Sequence, residues 1–150
     1  MLYEEATQRY STICLEEEDK GTCDRSHVGT VIIGLSYCIT ARGHNTAPGS
    51  MPTCDEIGHE MVEGHCVRTI HAEINAIAQA ARRGVITDGG IMFVSYVPCL
   101  NCAKAIIQAG ITEVYARTIR YEEGYNLLTK AGIPIYDWEG KPFDLNKPKE

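Results

Sequence analysis

The sequence predicts an α/β sandwich built as a single domain over residues 1–150. In the second half of the chain, short apolar runs alternate with segments of helical periodicity, in the order strand, helix, strand, helix, strand. Ala-Gly-Ile occurs at 109–111 and again at 131–133, a pattern typical of a helix end followed by a strand start. This order predicts parallel strands joined by right-handed crossovers, with helices covering the sheet.

The first elements are a helix and a hairpin. Residues 2–19 predict an amphipathic helix, because a partly apolar stripe recurs there at helical spacing. The stripe consists of Leu2, Ala6, Arg9, Tyr10 and Ile13. The β-branched run at 28–34 predicts a buried strand, and residues 36–41 can pair with it.

The later elements alternate regularly. A helix is predicted from residue 70 onward, because apolar residues recur at helical spacing. They are Ile74, Ile77, Ala78 and Ala81. Residues 91–96 predict a strand, and Pro98 pre-sets the first turn of a helix that stops at Gly110.

Two stretches lack a simple pattern. Residues 44–68 are rich in glycine and proline, and a loop of this length is uncommon unless it is functional or tied down. The tail after Trp138, which includes Pro148 and Lys149, is mostly polar. We predict no regular structure for the tail.

Composition and charge exclude several classes of protein. The net charge of −6 argues against a polymeric nucleic-acid partner, which usually requires a basic surface. The chain has no 18-residue apolar run and begins with the acidic Glu4 and Glu5. We therefore expect neither a membrane span nor a signal peptide, and a cytoplasmic protein.

The seven cysteines favour metal binding over disulfides. Their number is odd and no export signal is visible, so metal ligation is the better expectation for a cytosolic chain. Cys14 and Cys38 lie on a predicted helix and strand and are expected in the core.

Two short motifs predict a catalytic zinc. Cys99 and Cys102 are three residues apart at a helix start, where their sulfurs can converge and the thiolate form is favoured. His71 supplies a third ligand, which leaves one tetrahedral position open. Glu73 lies two residues further on and can shuttle a proton. Zinc lowers the pKa of bound water from about 15.7 to about 7.

Each motif taken alone is compatible with a different role. A Cys-x-x-Cys pair can be a redox pair or half of a structural zinc site, and His-x-Glu at a helix start is common. The combination is more specific, because proline precedes the first cysteine and both motifs open helices. In this order they form the signature of zinc nucleobase deaminases.

A second group predicts a structural zinc. Cys23, Cys54, His59 and Cys66 would form a closed four-ligand site that orders the insertion at 44–68. His59 and Cys66 are seven residues apart and would share a face if that piece is helical. His65 competes with Cys66 for the fourth place. The alternative is a set of free, buried thiols.

The chain resembles the cytidine deaminase superfamily, specifically the deoxycytidylate (dCMP) deaminases. The likeness covers roughly residues 20–137. It rests on five segments: Cys23-Asp24-Arg25, Val28-Gly29-Thr30-Val31-Ile32, Gly43-His44-Asn45, the run from His65 to Glu73, and the run from Pro98 to Lys104. Transfer-RNA adenosine deaminases usually carry Glu where this chain has Val97.

The resemblance implies a three-layer α/β/α sandwich with a central, mixed five-stranded sheet. It also implies hydrolysis of dCMP to dUMP and ammonia in pyrimidine deoxynucleotide supply, with one catalytic and one structural Zn²⁺ per chain. Activated water would attack carbon 4 of cytosine while Glu73 protonates ring nitrogen 3.

The resemblance also implies substrate contacts. Asn45 would contact the sugar, although asparagine also tolerates a left-handed turn. Arg82 corresponds to a phosphate-contacting position, although it could be a solvated charge at a helix end. Tyr121 is a weaker candidate for the same pocket, and Val97 would line the base site.

Many members of the family are hexamers that are switched on by dCTP and off by dTTP, with Mg²⁺ accompanying the triphosphate. A Gly-Tyr-Asn-Gly segment belongs to that control. This chain departs from it, because the segment consists of Gly43, His44, Asn45 and Thr46. The departure leaves open the allosteric control and the preference for monophosphate over triphosphate.

Two rival functions follow. One is a deaminase acting on dCTP, or on both dCMP and dCTP. The other, from a different class, is a non-catalytic, zinc-stabilised nucleotide-binding module. The second rival predicts that removing the carboxylate of Glu73 leaves function intact.

Overall fold

The computed structural model describes residues 2–147, so Pro148 and Lys149 of the predicted tail lie outside the described residues. In chain order the elements are α1 (Glu4–Glu18), β1 (Gly29–Ile33), β2 (Ile39–His44), α2 (Cys54–Ile57), β3 (Met61–Val62), β4 (His65–Cys66), α3 (Ala72–Arg83), β5 (Ile91–Tyr96), α4 (Leu100–Gln108), β6 (Glu113–Thr118), α5 (Glu122–Lys130) and β7 (Ile135–Tyr136).

The central sheet has five strands in the order β2-β1-β5-β6-β7. Strand β1 is antiparallel to both β2 and β5, whereas β5, β6 and β7 run parallel. The predicted alternation of strands and helices corresponds to this parallel half, because each parallel pair needs a crossover helix. The mixed five-stranded sheet is confirmed.

Helices cover both faces of the sheet, as predicted for a three-layer sandwich. Successive strand residues point to opposite faces. Phe93 and Tyr115 stack with ring centroids 4.5 Å apart on the face that packs against α1. Met92 and Val114 point to the other face, in the core shared with α3, α4 and α5. Because apolar side chains are buried on both faces, the hydrophobic effect stabilises the sheet from two sides.

Helix α3 forms where predicted, and Ile77 of the predicted stripe packs against the core, but the buried face overlaps that stripe only in part. Its buried alanines are Ala72, Ala76 and Ala80, whereas Ala78 and Ala81 of the predicted stripe are exposed. The reason is the close approach of β2, since a Cβ atom on Gly43 would lie 2.3 Å from the backbone oxygen of Ala72. Only the small side chains of the helix fit against that strand.

Three boundaries differ from the prediction. The hairpin partner of β1 is β2 at Ile39–His44, later than the predicted 36–41. The insertion at 44–68 contains one short helix and the β3–β4 hairpin. The described part of the tail lacks helices and strands, yet Phe143 is buried in the core. Every helix within residues 2–147 is too short or too polar to cross a bilayer.

The two cysteines that were expected in the core differ in their burial. Cys14, on α1, is fully buried, and its thiol donates a hydrogen bond to the backbone oxygen of Gly29 at 3.2 Å. Cys38 is exposed, because it lies in the turn before β2 rather than within the strand. The expectation is therefore confirmed for Cys14 and wrong for Cys38.

Candidate active site

The N-terminal ends of α3 and α4 bring three metal-ligating side chains together. His71 is the N-cap residue of α3, Cys99 is the N-cap residue of α4, and Cys102 lies in the first turn of α4. The Nδ1 atom of His71 lies 3.5 Å from the Cys99 sulfur and 3.3 Å from the Cys102 sulfur. Tetrahedral Zn²⁺ ligands at about 2.0–2.3 Å from the metal are separated by similar distances. The three predicted ligands therefore converge.

The protonation of these ligands suits a cation. Hydrogen bonds from Cys102 and then His71 lower the pKa of Cys99 to about 4. The shared hydrogen bond with Cys99 raises the pKa of the Cys102 thiol, and the Cys99 sulfur raises the pKa of His71. The Cys99 sulfur therefore carries a negative charge, which hydrogen bonds from its two neighbours stabilise. A divalent cation would favour the thiolate form of both cysteines. The donor set fits zinc.

Glu73 lies in the first turn of α3, and only 5% of it is exposed. Burial raises the pKa of its carboxyl group. The ligand group consists of three residues within the described chain, and Glu73 is not one of them. A tetrahedral ion would therefore keep one position for water or substrate beside a carboxyl group that can exchange protons.

A cavity of about 360 Å³ opens beside the three ligands. Its lining brings together residues predicted for the catalytic and substrate sites, namely His71, Glu73, Cys99, Asn45, Val97 and Tyr121. Two arginines, Arg25 and Arg120, also line it. An apolar wall with a few cations and one metal-ligand group is suited to a small charged ligand.

Asn45 is held by two contacts. Its Oδ1 atom accepts a hydrogen bond from the backbone of Val28 at 2.8 Å, and its Nδ2 atom donates to the backbone of Ser26 at 2.5 Å. Asn45 does not adopt the left-handed conformation that was the alternative for this residue. Its buried amide instead fixes the loop before β1 at the edge of the cavity.

The structure does not bring Arg82 to this cavity. Arg82 is exposed in the last turn of α3, eleven residues after His71, and a helical rise of about 1.5 Å per residue places it about 16 Å from the ligand end. Arg25 and Arg120 supply the positive charge at the cavity instead. Arg25 lies in a segment that carried the family resemblance, whereas no local pattern in the sequence marks Arg120.

The second predicted ligand group also converges. Cys23, Cys54, His59 and Cys66 place their donor atoms within 4.8 Å of one another. The Cys23 sulfur lies 3.5 Å from His59 Nδ1, and the sulfurs of Cys54 and Cys66 are 3.5 Å apart. His65 is not part of this group and lines the cavity instead.

The helical arrangement considered for this second group is wrong. His59 and Cys66 do not share a helix; His59 precedes the β3–β4 hairpin and Cys66 lies on its second strand. The hairpin reverses the direction of the chain, which brings Cys66 back beside His59 although they lie seven residues apart in the sequence. Asp24 accepts a hydrogen bond from His59 Nε2 at 2.7 Å, which orients Nδ1 toward the cysteines.

The thiols of the second group also differ in acidity. Burial raises the pKa of Cys54 to about 12. Burial opposes ionisation of Cys66 as well, but hydrogen bonds from the backbone of Arg68 and Glu60 lower its pKa to about 6. A thiolate held by backbone donors is a ready metal ligand.

A second cavity, of about 550 Å³, contains His44 from the segment 43–46. Three cations line it: Lys20, Arg42 and Arg83. Glu17 is also present, and its carboxylate lies 2.8 Å from Lys20 and 3.3 Å from His44. Asn45, the next residue, lines the first cavity. The segment therefore faces both cavities.

Comparison with known proteins identifies a family that matches most of this chain and several similar proteins. The family model described as the cytidine and deoxycytidylate deaminase zinc-binding region matches residues 4–118. ComE operon protein 2 of Bacillus subtilis is 40% identical over 123 residues, which cover 77% of this chain and 62% of that protein.

A phage enzyme and a solved structure are also similar. Deoxycytidylate deaminase of Enterobacteria phage T4 is 44% identical over 81 residues, which cover 52% of this chain and 41% of that enzyme. The chain thus spans about two fifths to three fifths of these curated relatives. The dCMP deaminase of cyanophage S-TIM5, solved with dCMP and dUMP, superimposes with a TM-score of 0.82 at 26% identity, covering 91% of this chain and 99% of that one.

Proposed function

The chain belongs to the cytidine and deoxycytidylate deaminase zinc-binding family, and on that basis we propose that it hydrolyses dCMP to dUMP and ammonia. The observation that carries the proposal is the placement of His71, Cys99 and Cys102 beside buried Glu73 in a cavity that also presents arginines. This arrangement joins a hydrolytic centre to cations that suit a phosphorylated substrate.

The chemistry divides between the metal and the chain. When bound by His71, Cys99 and Cys102, zinc supplies a Lewis acid that makes water a nucleophile near neutral pH. Glu73 takes a proton as water adds to carbon 4 of cytosine and delivers it to ring nitrogen 3. The hydroxyl now on carbon 4 gives up its proton, which Glu73 delivers to the amino nitrogen; the carbon–nitrogen bond then breaks, ammonia leaves and the carbon 4 carbonyl of uracil forms. Burial raises the pKa of Glu73, so its carboxyl group can both accept and return a proton.

The other end of the cavity is suited to the sugar and phosphate. Asn45 uses one Nδ2 hydrogen for Ser26, so its second amide hydrogen is available for a sugar hydroxyl. Arg25 and Arg120 line the same cavity and offer charge-assisted hydrogen bonds to a 5′-phosphate. Tyr121 is the N-cap residue of α5 and lies at the rim, while Val97 forms part of the apolar wall.

We propose a structural Zn²⁺ in the second ligand group. Four donors and no open position match the coordination of structural zinc. The ion would tie α2 and the β3–β4 hairpin to the loop that carries Cys23. His65 and Arg25, next to these ligands along the chain, line the substrate cavity, so ordering the insertion also orders one cavity wall.

We propose that the effectors implied by the family, dCTP and dTTP with Mg²⁺, bind in the second cavity. Its three cations suit phosphates. His44 lines this cavity and its neighbour Asn45 lines the substrate cavity. A ligand that moves the backbone of His44 would therefore also move Asn45. Dependence of dCMP turnover on added dCTP or dTTP tests this idea, and a rate that neither nucleotide changes would contradict it.

The hexamer, the cytoplasmic location and the role in pyrimidine deoxynucleotide supply stay predictions. Sedimentation of the zinc-loaded protein with and without effector nucleotide would establish the assembly. A particle other than a hexamer would overturn that expectation without affecting the proposed reaction.

Substrate comparison tests the function directly. Zinc-loaded protein should release ammonia from dCMP faster than from dCTP or deoxycytidine. Turnover of dCTP with none of dCMP would favour the rival deaminase. Nucleotide binding without turnover of any of the three would favour the non-catalytic module. Metal analysis of the same sample should give two zinc ions per chain.

A further inference from the structure

Two guanidinium groups lie against one tyrosine at the cavity. Tyr96 is the last residue of β5 and lines the cavity. The guanidinium carbon of Arg120 lies 3.6 Å from the centre of the Tyr96 ring, and that of Arg117 lies 5.8 Å from it. Arg120 also donates a hydrogen bond to Ser26 Oγ at 2.7 Å. Ring stacking and this bond hold an arginine that is otherwise exposed.

Arg117 does not line the cavity. Its Nη2 atom lies 3.1 Å from the carboxylate of Glu18, at the end of α1. Its guanidinium also lies 5.2 Å from the ring of Trp138. Among the described residues its Nε atom is buried without a hydrogen-bond partner. The ion pair and the two aromatic rings therefore determine where this group sits.

Glu18 is itself held in place. Ser95 donates a hydrogen bond to its carboxylate at 2.6 Å, and the backbone of Gly29 donates to Ser95 at 2.9 Å. Helix α1 and strands β1, β5 and β6 thus meet around the Arg117–Glu18 pair. A planar guanidinium paired with a carboxylate and placed on aromatic rings is a rigid element.

The two arginines differ in charge compensation. The carboxylate of Glu18 offsets the charge of Arg117. Among residues 2–147, the ring of Tyr96 and the hydroxyl of Ser26 contact Arg120, and neither carries negative charge. Two uncompensated cations beside one ring would repel each other. By pairing with Arg117, Glu18 reduces that repulsion, which helps Arg120 to stay on Tyr96 and to face an anion in the cavity.

We propose that Arg117 is a positioning residue for the phosphate end of the cavity. Fixed by Glu18 and Trp138, it holds the Tyr96 ring on which Arg120 stacks, and Arg120 then meets the 5′-phosphate of the nucleotide. This inference rests on the proposed function, because it requires a monophosphate substrate. It assigns Arg117, Glu18 and Trp138 to substrate affinity rather than to the chemical step.

The test compares Arg117→Gln with Arg9→Gln. Arg9 is a matched control, because it is exposed and lies 5.9 Å from the ring of Tyr10. We expect Arg117→Gln to raise the KM for dCMP about tenfold, the size of a lost charged contact, with little change in kcat. Deoxycytidine, which lacks the phosphate, should be turned over by this variant as by the wild type. Arg9→Gln should change neither.

Two further measurements separate positioning from folding. Arg117→Lys keeps the ion pair but loses the planar stack, so its KM for dCMP should be intermediate. Trp138 is the only tryptophan in the chain, so its fluorescence in Arg117→Gln reports the local packing directly. Binding of dUMP, measured by calorimetry, should weaken more than binding of deoxyuridine.

The outcomes separate the two proposals. If the wild type does not deaminate dCMP, the proposed function fails. If the wild type is active and Arg117→Gln weakens dCMP and deoxycytidine equally, the positioning role is overturned and the function stands. An unchanged KM for dCMP in folded Arg117→Gln and Arg117→Lys would also overturn it.

Discussion

The two metal-ligand groups of this molecule are built in different ways. The first uses three side chains at the N-terminal ends of α3 and α4, which pack on the central sheet. The second uses four side chains carried by loops, a one-turn helix and a hairpin whose two strands have two residues each. The rigid scaffold needs no metal to keep its ligands together, so it can leave a coordination position open. If the proposed zinc is bound, we expect the insertion to need all four ligands, because little else buries its backbone.

Exposure supports this contrast. In the insertion, Met61, Val62 and Val67 are more than two fifths exposed, so hydrophobic burial contributes little to its order. Cys102 at the first group is 1% exposed, beneath helices whose inward-facing alanines are fully buried. Stability at the first group comes from packing, whereas at the second group it would come from the proposed zinc.

The largest expected effect separates chemistry from metal binding at the first group. Glu73→Gln should lower kcat for dCMP by about 10²–10⁴-fold, the usual loss on removal of a general acid–base. Zinc content should stay the same, because Glu73 is not among the three ligands. Glu5→Gln, an exposed glutamate on α1, is the control. Normal turnover in Glu73→Gln would contradict the catalytic role.

The next prediction compares the two metal-ligand groups by replacing one cysteine in each. Cys99→Ser and Cys54→Ser should each reduce zinc from two ions per chain to one. Cys99→Ser should abolish turnover with a small change in melting temperature. Cys54→Ser should lower the melting temperature and speed amide exchange across residues 44–68, because the insertion loses its tie. The exposed Cys38 provides a control as Cys38→Ser.

The comparison between the groups would fail if these results were exchanged. Faster exchange throughout 44–68 in Cys99→Ser, with the insertion unaffected in Cys54→Ser, would show that the first group holds the insertion. Metal analysis and hydrogen exchange on the same samples distinguish these cases.

A smaller effect identifies the histidine of the second group. His59→Ala should lose the second zinc, whereas His65→Ala should retain it, because only His59 has its nitrogen among the sulfurs. His65→Ala should instead raise the KM for dCMP, since His65 lines the substrate cavity. Loss of zinc in His65→Ala alone would show that the ligand assignment is wrong.

The smallest effect concerns Arg82. Its exposed position at the end of α3 predicts that Arg82→Gln changes the KM for dCMP by less than about threefold, as surface substitutions usually alter free energies by about 0.5 kcal/mol or less. Arg25→Gln, from the cavity wall, should raise that KM about tenfold or more. A large rise in the KM for dCMP in Arg82→Gln, measured by steady-state kinetics, would show that Arg82 contacts the phosphate after all.

The first ligand group and the order of elements could be predicted from the amino-acid sequence. His71, Glu73, Cys99 and Cys102 lie at helix starts, where the spacing of two or three residues sets the direction of each side chain. Such local relations depend on backbone geometry that one or two turns already define. The parallel half of the sheet followed from the alternation of strands and helices for the same reason.

Contacts between distant segments settled the remaining features. The buried face of α3 depends on how closely Gly43 approaches Ala72. Arg120 reaches the cavity because it stacks on Tyr96 from another strand, and no local pattern marks it. His59 joins Cys66 through a hairpin turn that periodicity missed. Such contacts are set by the packing of whole elements, and residue spacing carries no information about that packing.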